Sequence, residues 1–276
     1  MKAYSTSFLL FLHQLSLGGL FALAVTPFHE LERGFYKSTA GFLFATALLG
    51  LWGKMDLYRK AFLHSGGIGS TVEMLLYSLF VLFLALYLIS LWGERVWLRA
   101  RTFSSSLLVG LAGLSLASFS FHEAHFWSVE TFFYPVGFIL SSLLLGSATV
   151  GMLIGHWYLI DAGQSLEPFF RTFKFFVVLL IMQTSFLLLS PVLLYLLGNH
   201  QTLLGLNQLW SDHLFLACAR ILVSQVGPLV LSYMIWQTLK IPNTMAATGL
   251  FYIALLGVVV GEILGRQLLA LTSLPL

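Results

Sequence analysis

Apolar runs of membrane-spanning length recur along the whole chain and restrict its fold more than any other feature of the sequence. A bilayer core of roughly 30 Å takes about 20 apolar residues per helix. Eight segments meet or approach that length: Phe8–Phe28, Ser38–Trp52, Ser70–Trp92, Phe103–Phe121, Phe132–Ile160, Phe173–Leu197, His213–Thr238 and Met245–Leu271. Only 9% of the 276 residues are charged, against about 25% in a soluble domain. The chain cannot dress a globular surface in charge. The expected fold is all-α: a polytopic membrane protein of about eight transmembrane helices in one bundle, a single domain over 1–276, with both termini outside. Lys2 precedes the first apolar run, but that run is too long for a signal-peptide core and lacks a small-x-small cleavage site. It is read as a helix.

Lys and Arg in the loops set the orientation. The loops after spans one, three, five and seven hold Arg33, Lys37, Arg95, Arg99, Arg101, Arg171, Lys174 and Lys240. The opposite set is Lys2, Lys54, Arg59 and Lys60. Eight against four puts the first set in the cytoplasm of a cell whose inner (cytoplasmic) membrane holds the protein. The outer loops "HEAHFWSVET" and "GNHQTLLGLNQLWSD" then contain neither Lys nor Arg. The net charge of +3 is the usual cytoplasmic-loop excess, and no nucleic-acid patch accompanies it. One cysteine, Cys218, excludes internal disulfides and cysteine-ligated iron–sulfur clusters.

Charges inside apolar helices are costly, so they face the protein interior and pair. The stretch "GVVVGEILGRQLLAL" holds Glu262 and Arg266 four apart, on one helix face. Gly257, Gly261 and Gly265 repeat beside them, a spacing that lets another helix approach closely. Arg220, in "LACARILVS", is a third intramembrane charge. These three are expected to lock helix packing. Glu73, in "GSTVEMLLYSLF", has no cation within helical reach on its own segment. An unpaired carboxyl in apolar surroundings favours its neutral form, which makes Glu73 a candidate proton donor or acceptor. Tyr77, one turn further on, is a candidate hydrogen-bond partner for a ligand.

Eight histidines raise the question of haem or metal. A bis-histidine b-type haem needs two imidazoles facing each other across the bundle. His13 and His156 lie at opposite depths, so they are not expected to share an iron. His122 and His125 have an i, i+3 spacing, but neither an HExxH motif nor a cysteine completes a metal site, so the metal expectation is none. His13, His156, His122 and His125 therefore remain candidates for a proton relay or a haem b. The sequence contains neither a phosphate-cradling glycine loop nor a nucleophile elbow.

Several of these segments resemble one family. "LLGVVVGEILGR" resembles the last helix of the membrane-anchor subunits of the dimethyl-sulfoxide reductase and polysulfide reductase type (the DmsC/NrfD family). "ACARILVS" is similar to the family's seventh helix and "FWSVETFFYPVGFILSSLLLGSATVG" to its fifth. "TVEMLLYSLF" resembles its third, with Glu73 at the position of a carboxylate implicated in quinol binding. The family's frequent Leu-His-Leu-Gly segment after helix two is absent. That region reads "LWGKMDLYRKAFLHSGG" here, where Asp56 or His64 is the candidate substitute.

The resemblance implies a quinone-reactive anchor subunit of a respiratory oxidoreductase complex. Such a subunit exchanges electrons and protons between menaquinone or ubiquinone and an iron–sulfur or cytochrome partner, which in turn serves a catalytic subunit. A transporter or channel, a purely structural anchor and a b-haem subunit stay open as alternatives. Against the transporter, no pair of broken helices recurs in matching halves.

Overall fold

The computed structural model describes residues 2–28, 30–65, 68–121, 128–160, 163, 165–241 and 243–275; the side chains of 2–6 and 61–65 lie outside the description. The chain folds into α1 (Lys2–Ala24), α2 (Arg33–Ser65), α3 (Ile68–Ser90) and α4 (Val96–Ser118), which ends in a 3-10 turn at Phe119–Phe121. Then follow α5 (Val129–Ile160), α6 (Glu167–Leu197), α7 (His200–Asp212), α8 (Leu214–Ile221), a π turn at Leu222–Val226, α9 (Gly227–Lys240) and α10 (Thr244–Thr272). Eight spans are long and apolar enough to cross a membrane. The protein is an all-α, polytopic helical bundle.

Two spans form its centre. In the most apolar window of α1, 72% of residues are buried, and in that of α5, 78%, against 39% or less in every other span. These two helices touch backbone to backbone. A Cβ on Gly18 would sit 1.7 Å from the Ser142 carbonyl oxygen, and one on Gly146 would sit 1.8 Å from the Gly18 carbonyl carbon. Only glycine permits such an approach, the usual basis of close helix packing in lipid. Two hydrogen bonds flank the crossing: Gln14 Nε2 donates to the Phe138 carbonyl at 2.9 Å, and Ser142 Oγ donates to the Gln14 carbonyl at 2.8 Å. Around this pair, α2 and α10 pack on α1, α6 and α10 pack on α5, and α3 joins α2 to α4.

Three elements depart from the sequence-based expectation. The second span is not the short Ser38–Trp52 but a helix of 33 residues. At 1.5 Å per residue it is roughly 50 Å long, longer than a bilayer core. Lys54 therefore belongs to the span rather than to a loop, and is 3% exposed. The second departure is α7, which occupies part of the expected outer loop. Its buried Thr202, Gly205, Leu206 and Leu209 follow the i, i+3, i+4, i+7 pattern of an amphipathic helix. Leu206 and Leu209 pack with Leu187, Leu194, Leu268 and Leu274 in a small core of their own.

The third departure lies in the seventh span, expected as one helix over His213–Thr238. Pro228 has no N–H to offer the Ser224 carbonyl. The turn before it widens, and Gly227 N–H bonds to the Leu222 carbonyl instead. The result is α8, a π turn and α9.

Three spans, α4, α5 and α6, separate the Arg95 end from the α7 end, which puts the two on opposite sides. In a Cys218→Ser background, an impermeant thiol reagent applied from outside should label a cysteine at the exposed Gln208 and spare one at the exposed Glu94. The reverse pattern would invert the orientation drawn from the loop charges.

Candidate functional site

Three helices bring a group of polar side chains together inside the apolar bundle. Lys54 and Tyr58 are four apart on α2 and share a face. Both reach Glu73 on α3: Lys54 Nζ lies 2.6 Å from Glu73 Oε1, and the Tyr58 hydroxyl donates to the same oxygen at 2.9 Å. The Lys54 side chain is 3% exposed and that of Glu73 12%. Glu73 is therefore not the unpaired carboxyl that its own segment suggested. Its counter-charge comes from a residue 19 positions earlier, which the sequence had assigned to a loop. At this depth an ion pair relieves most of the cost of burying either charge alone.

A second polar layer lies behind the pair. Tyr77, one turn after Glu73, stacks on His13 of α1 with ring centroids 4.2 Å apart and an interplanar angle of 9°. Phe80 packs against the same imidazole at 5.1 Å. His13 and Tyr77 are each 1% exposed. Neither His13 Nε2 nor the Tyr77 hydroxyl has a hydrogen-bond partner among the described residues. Buried polar groups are nearly always satisfied, and the described residues supply no partner to these two atoms of one stack. Gly50 makes room for the phenol: a Cβ there would lie 2.2 Å from the Tyr77 hydroxyl oxygen. The Lys54 ammonium is 5.8 Å from the centre of the Tyr77 ring, which links the two layers.

The group opens on a cleft of about 490 Å³ between α2 and α3, lined by Met55, Asp56, Tyr58, Arg59, Ser70, Thr71 and Met74. Tyr58 both lines this cleft and hydrogen-bonds Glu73. Asp56 sits exposed on its wall. His64 falls in the last turn of α2, with its side chain outside the described residues; His122 and His125 lie outside them altogether.

The other intramembrane charges form a separate cluster in the bundle core. Glu262 Oε2 lies 3.2 Å from Arg266 Nη2, and Glu262 Oε1 lies 3.3 Å from Arg220 Nη2. Gln183 Nε2 of α6 lies 3.0 Å from Glu262 Oε1 and 3.1 Å from Ser141 Oγ of α5. Arg220 Nη1 also donates to the Gly261 carbonyl at 3.0 Å. The glycine stripe of α10 explains how α8 comes so near. A Cβ on Gly261 would lie 1.9 Å from Ser224 Cβ, and one on Gly265 would lie 1.0 Å from Arg220 Nη1. The cluster ties α5, α6, α8 and α10 together and carries two cations against one carboxylate. His156 takes part in neither group; its Nδ1 is 3.2 Å from the Tyr252 hydroxyl at an exposed position. His13 and His156 thus do not face each other across an iron. Among the described residues, no three His, Cys, Asp or Glu side chains gather as a metal site would require.

Sequence reading missed Lys54, Tyr58, Gln183 and Glu130. Lys54 and Tyr58 carry a faint signal in their i, i+4 spacing. Gln183 stands out as the lone amide in "LLIMQTSF". Glu130 is 1% exposed and accepts from the Asn199 N–H at 2.6 Å and the Thr202 hydroxyl at 2.9 Å. It holds the start of α7, a role that depends on a helix the sequence reading did not contain. Comparison of the chain with protein-family models, with curated proteins and with solved structures returned no match.

The charge count of the core cluster gives an ordering of variants. Removing Glu262 strands two buried cations, whereas removing either arginine leaves a neutral pair. Glu262→Gln should cost about 3–5 kcal/mol, the scale for breaking a buried pair, and Arg266→Met or Arg220→Met clearly less. Unfolding of the purified protein in mixed micelles measures this. Equal losses for all three would mean that the charge balance does not control the packing.

Proposed function

We propose that the chain is a quinone-reactive, multi-pass subunit of a respiratory oxidoreductase complex in the cytoplasmic membrane. The observation that carries this is the polar group between α1, α2 and α3. A buried Lys54–Glu73 pair is joined through Tyr58 to a cleft, and the His13–Tyr77 stack behind it has two polar atoms without a partner among the described residues. A quinone head is a flat, weakly polar ring with two carbonyl oxygens. Met55, Met74 and the Tyr58 ring offer its body apolar contact beside the polar Asp56, Arg59, Ser70 and Thr71, and Tyr58, Tyr77 and His13 are hydrogen-bonding groups within the same assembly. The resemblance of "TVEMLLYSLF" to the family's quinol-associated helix supports the same placement.

Oxidising a quinol releases two electrons and two protons; reducing a quinone takes up the same. Glu73 is the natural proton-exchanging group, because Tyr58 connects its carboxylate to the cleft. Lys54 holds that carboxylate in place and sets a positive charge beside it. The chain's one cysteine cannot ligate a cluster, so the electrons pass to or from an iron–sulfur or cytochrome partner, which serves a catalytic subunit. The outer ends of α2 and α3 would then face that partner.

Glu73→Gln alone leaves the Lys54 ammonium buried without its counter-charge. The decisive variant is therefore Lys54→Gln with Glu73→Gln, which is neutral and close to the original in volume. It should assemble and lose quinol-coupled electron transfer by about 10²-fold or more, the scale for loss of a positioned acid or base. Transfer between a quinol analogue and the native partner complex is the assay. Wild-type rates in the assembled double variant would remove the proton role of Glu73 and leave a structural anchor.

A further inference from the structure

At the end of the bundle opposite α7, one arginine is buried without a carboxylate. Arg99, in the first turn of α4, is 8% exposed. Its guanidinium lies 3.7 Å from the centre of the Phe28 ring, and its Nη2 donates to the Gly93 carbonyl at 3.2 Å. Its Nε is buried without a partner, and no carboxylate among the described residues pairs with it. The adjacent acid, Glu94, is taken by Arg33 at 3.2 Å. A buried guanidinium held only by a carbonyl and a ring retains much of its desolvation cost and donors to spare.

Arg99 lines a cavity of about 420 Å³ enclosed by the ends of α1 and α2 and by α3 and α4. Its other walls are largely apolar, including Leu23, Phe28, Val96 and Phe103, with Tyr87 beside them. Val96 on its rim is 69% exposed, so the cavity opens to the outside of the bundle. Tyr36 contributes little polarity, because its hydroxyl already donates to the Thr26 and Pro27 carbonyls. Arg95, the N-cap of α4, and Arg101, which stacks on Trp97 at 4.1 Å, add positive charge to this end of α4.

We propose that this cavity is a binding site for an anionic phospholipid. The phosphodiester takes the spare donors of Arg99, and an acyl chain lies along the apolar wall. Three features favour this occupant. The buried charge demands an anion. The apolar walls demand a hydrocarbon attached to it. The outward opening lies at a basic end of the bundle, and basic pockets between transmembrane helices are usual receptors for anionic headgroups. The guanidinium fork matches two phosphate oxygens. Free phosphate satisfies only the first of the three demands. This site is separate from the Glu73 group and does not depend on the quinone reading.

The test is native mass spectrometry of the full chain in detergent, titrated with phosphatidylglycerol or phosphatidylethanolamine of identical acyl chains. The wild type should retain one phosphatidylglycerol under activation that strips phosphatidylethanolamine. Arg99→Gln should weaken phosphatidylglycerol binding by about 10-fold, the scale of one charge-assisted contact, and Arg99→Lys should weaken it less. Ala100→Trp fills the cavity while leaving the guanidinium untouched, and should also abolish the retained lipid. That variant decides the matter if Arg99→Gln does not fold. Unchanged phosphatidylglycerol binding in Ala100→Trp, or equal retention of the zwitterionic lipid by the wild type, would overturn the proposal.

Discussion

Where Gly18 of α1 crosses Gly146 of α5, two backbones lie in direct contact, and the rotation of α1 follows from that contact. Gln14 and Gly18 are four apart and face α5, held by the hydrogen bonds to Phe138 and Ser142. The next face of the helix carries His13 and Leu17, and it turns towards α3 and α4. A Cβ on Gly110 of α4 would lie 2.7 Å from Leu17 Cδ1, and one on Gly113 would lie 3.5 Å from His13 Cε1. The stack of His13 on Tyr77 is thus set by a contact on the other side of the helix. A side chain at Gly18 or Gly146 would separate α1 from α5 and carry His13 away from α3. Overpacking of this kind ordinarily costs about 1–3 kcal/mol, and backbone atoms cannot yield as a flexible side chain can.

Within that frame, charge is placed sparingly and in two different ways. Glu262 is enclosed by two arginines and a glutamine, and each partner comes from or reaches a different helix. Its cluster fastens four helices, while Gln183 Oε1, Arg220 Nε and Arg266 Nε and Nη1 stay buried without a hydrogen-bond partner among the described residues. Glu73 has one cation and one phenol, and the phenol continues to a cleft. The first arrangement suits packing and the second suits exchange of a proton with something that enters the cleft.

Much of this was legible in the sequence. Apolar run length is sufficient to indicate eight spans, because hydrocarbon imposes helices on any segment that crosses it. The Glu262–Arg266 pair and its glycine stripe were visible because both partners lie on one helix at i, i+4. Contacts between helices left weaker traces. Lys54 follows Trp52 and Gly53 and precedes Asp56, Arg59 and Lys60, a run that looks like a loop. It is a span residue because α2 continues past the apolar segment. Nothing in the spacing of 54 and 73 connects them; the packing of α3 against α2 does. Likewise α7 hid in a polar stretch whose four buried positions are recognisable only through their periodicity. The π turn needed Pro228 to be read as a missing donor inside a helix rather than as a helix end.

The proposed quinone site is tested most directly by photolabelling. A photoreactive, short-chain quinone analogue is added to membranes containing the native complex, and labelled peptides of this chain are mapped by mass spectrometry. Labels should concentrate on α2 and α3 around Tyr58 and Met74, with Tyr77 or His13 also reached, and an excess of unlabelled quinol should suppress them. Labels confined to other helices, or labels on α2 and α3 that excess quinol leaves unchanged, would contradict a quinone site at the Lys54–Glu73 group.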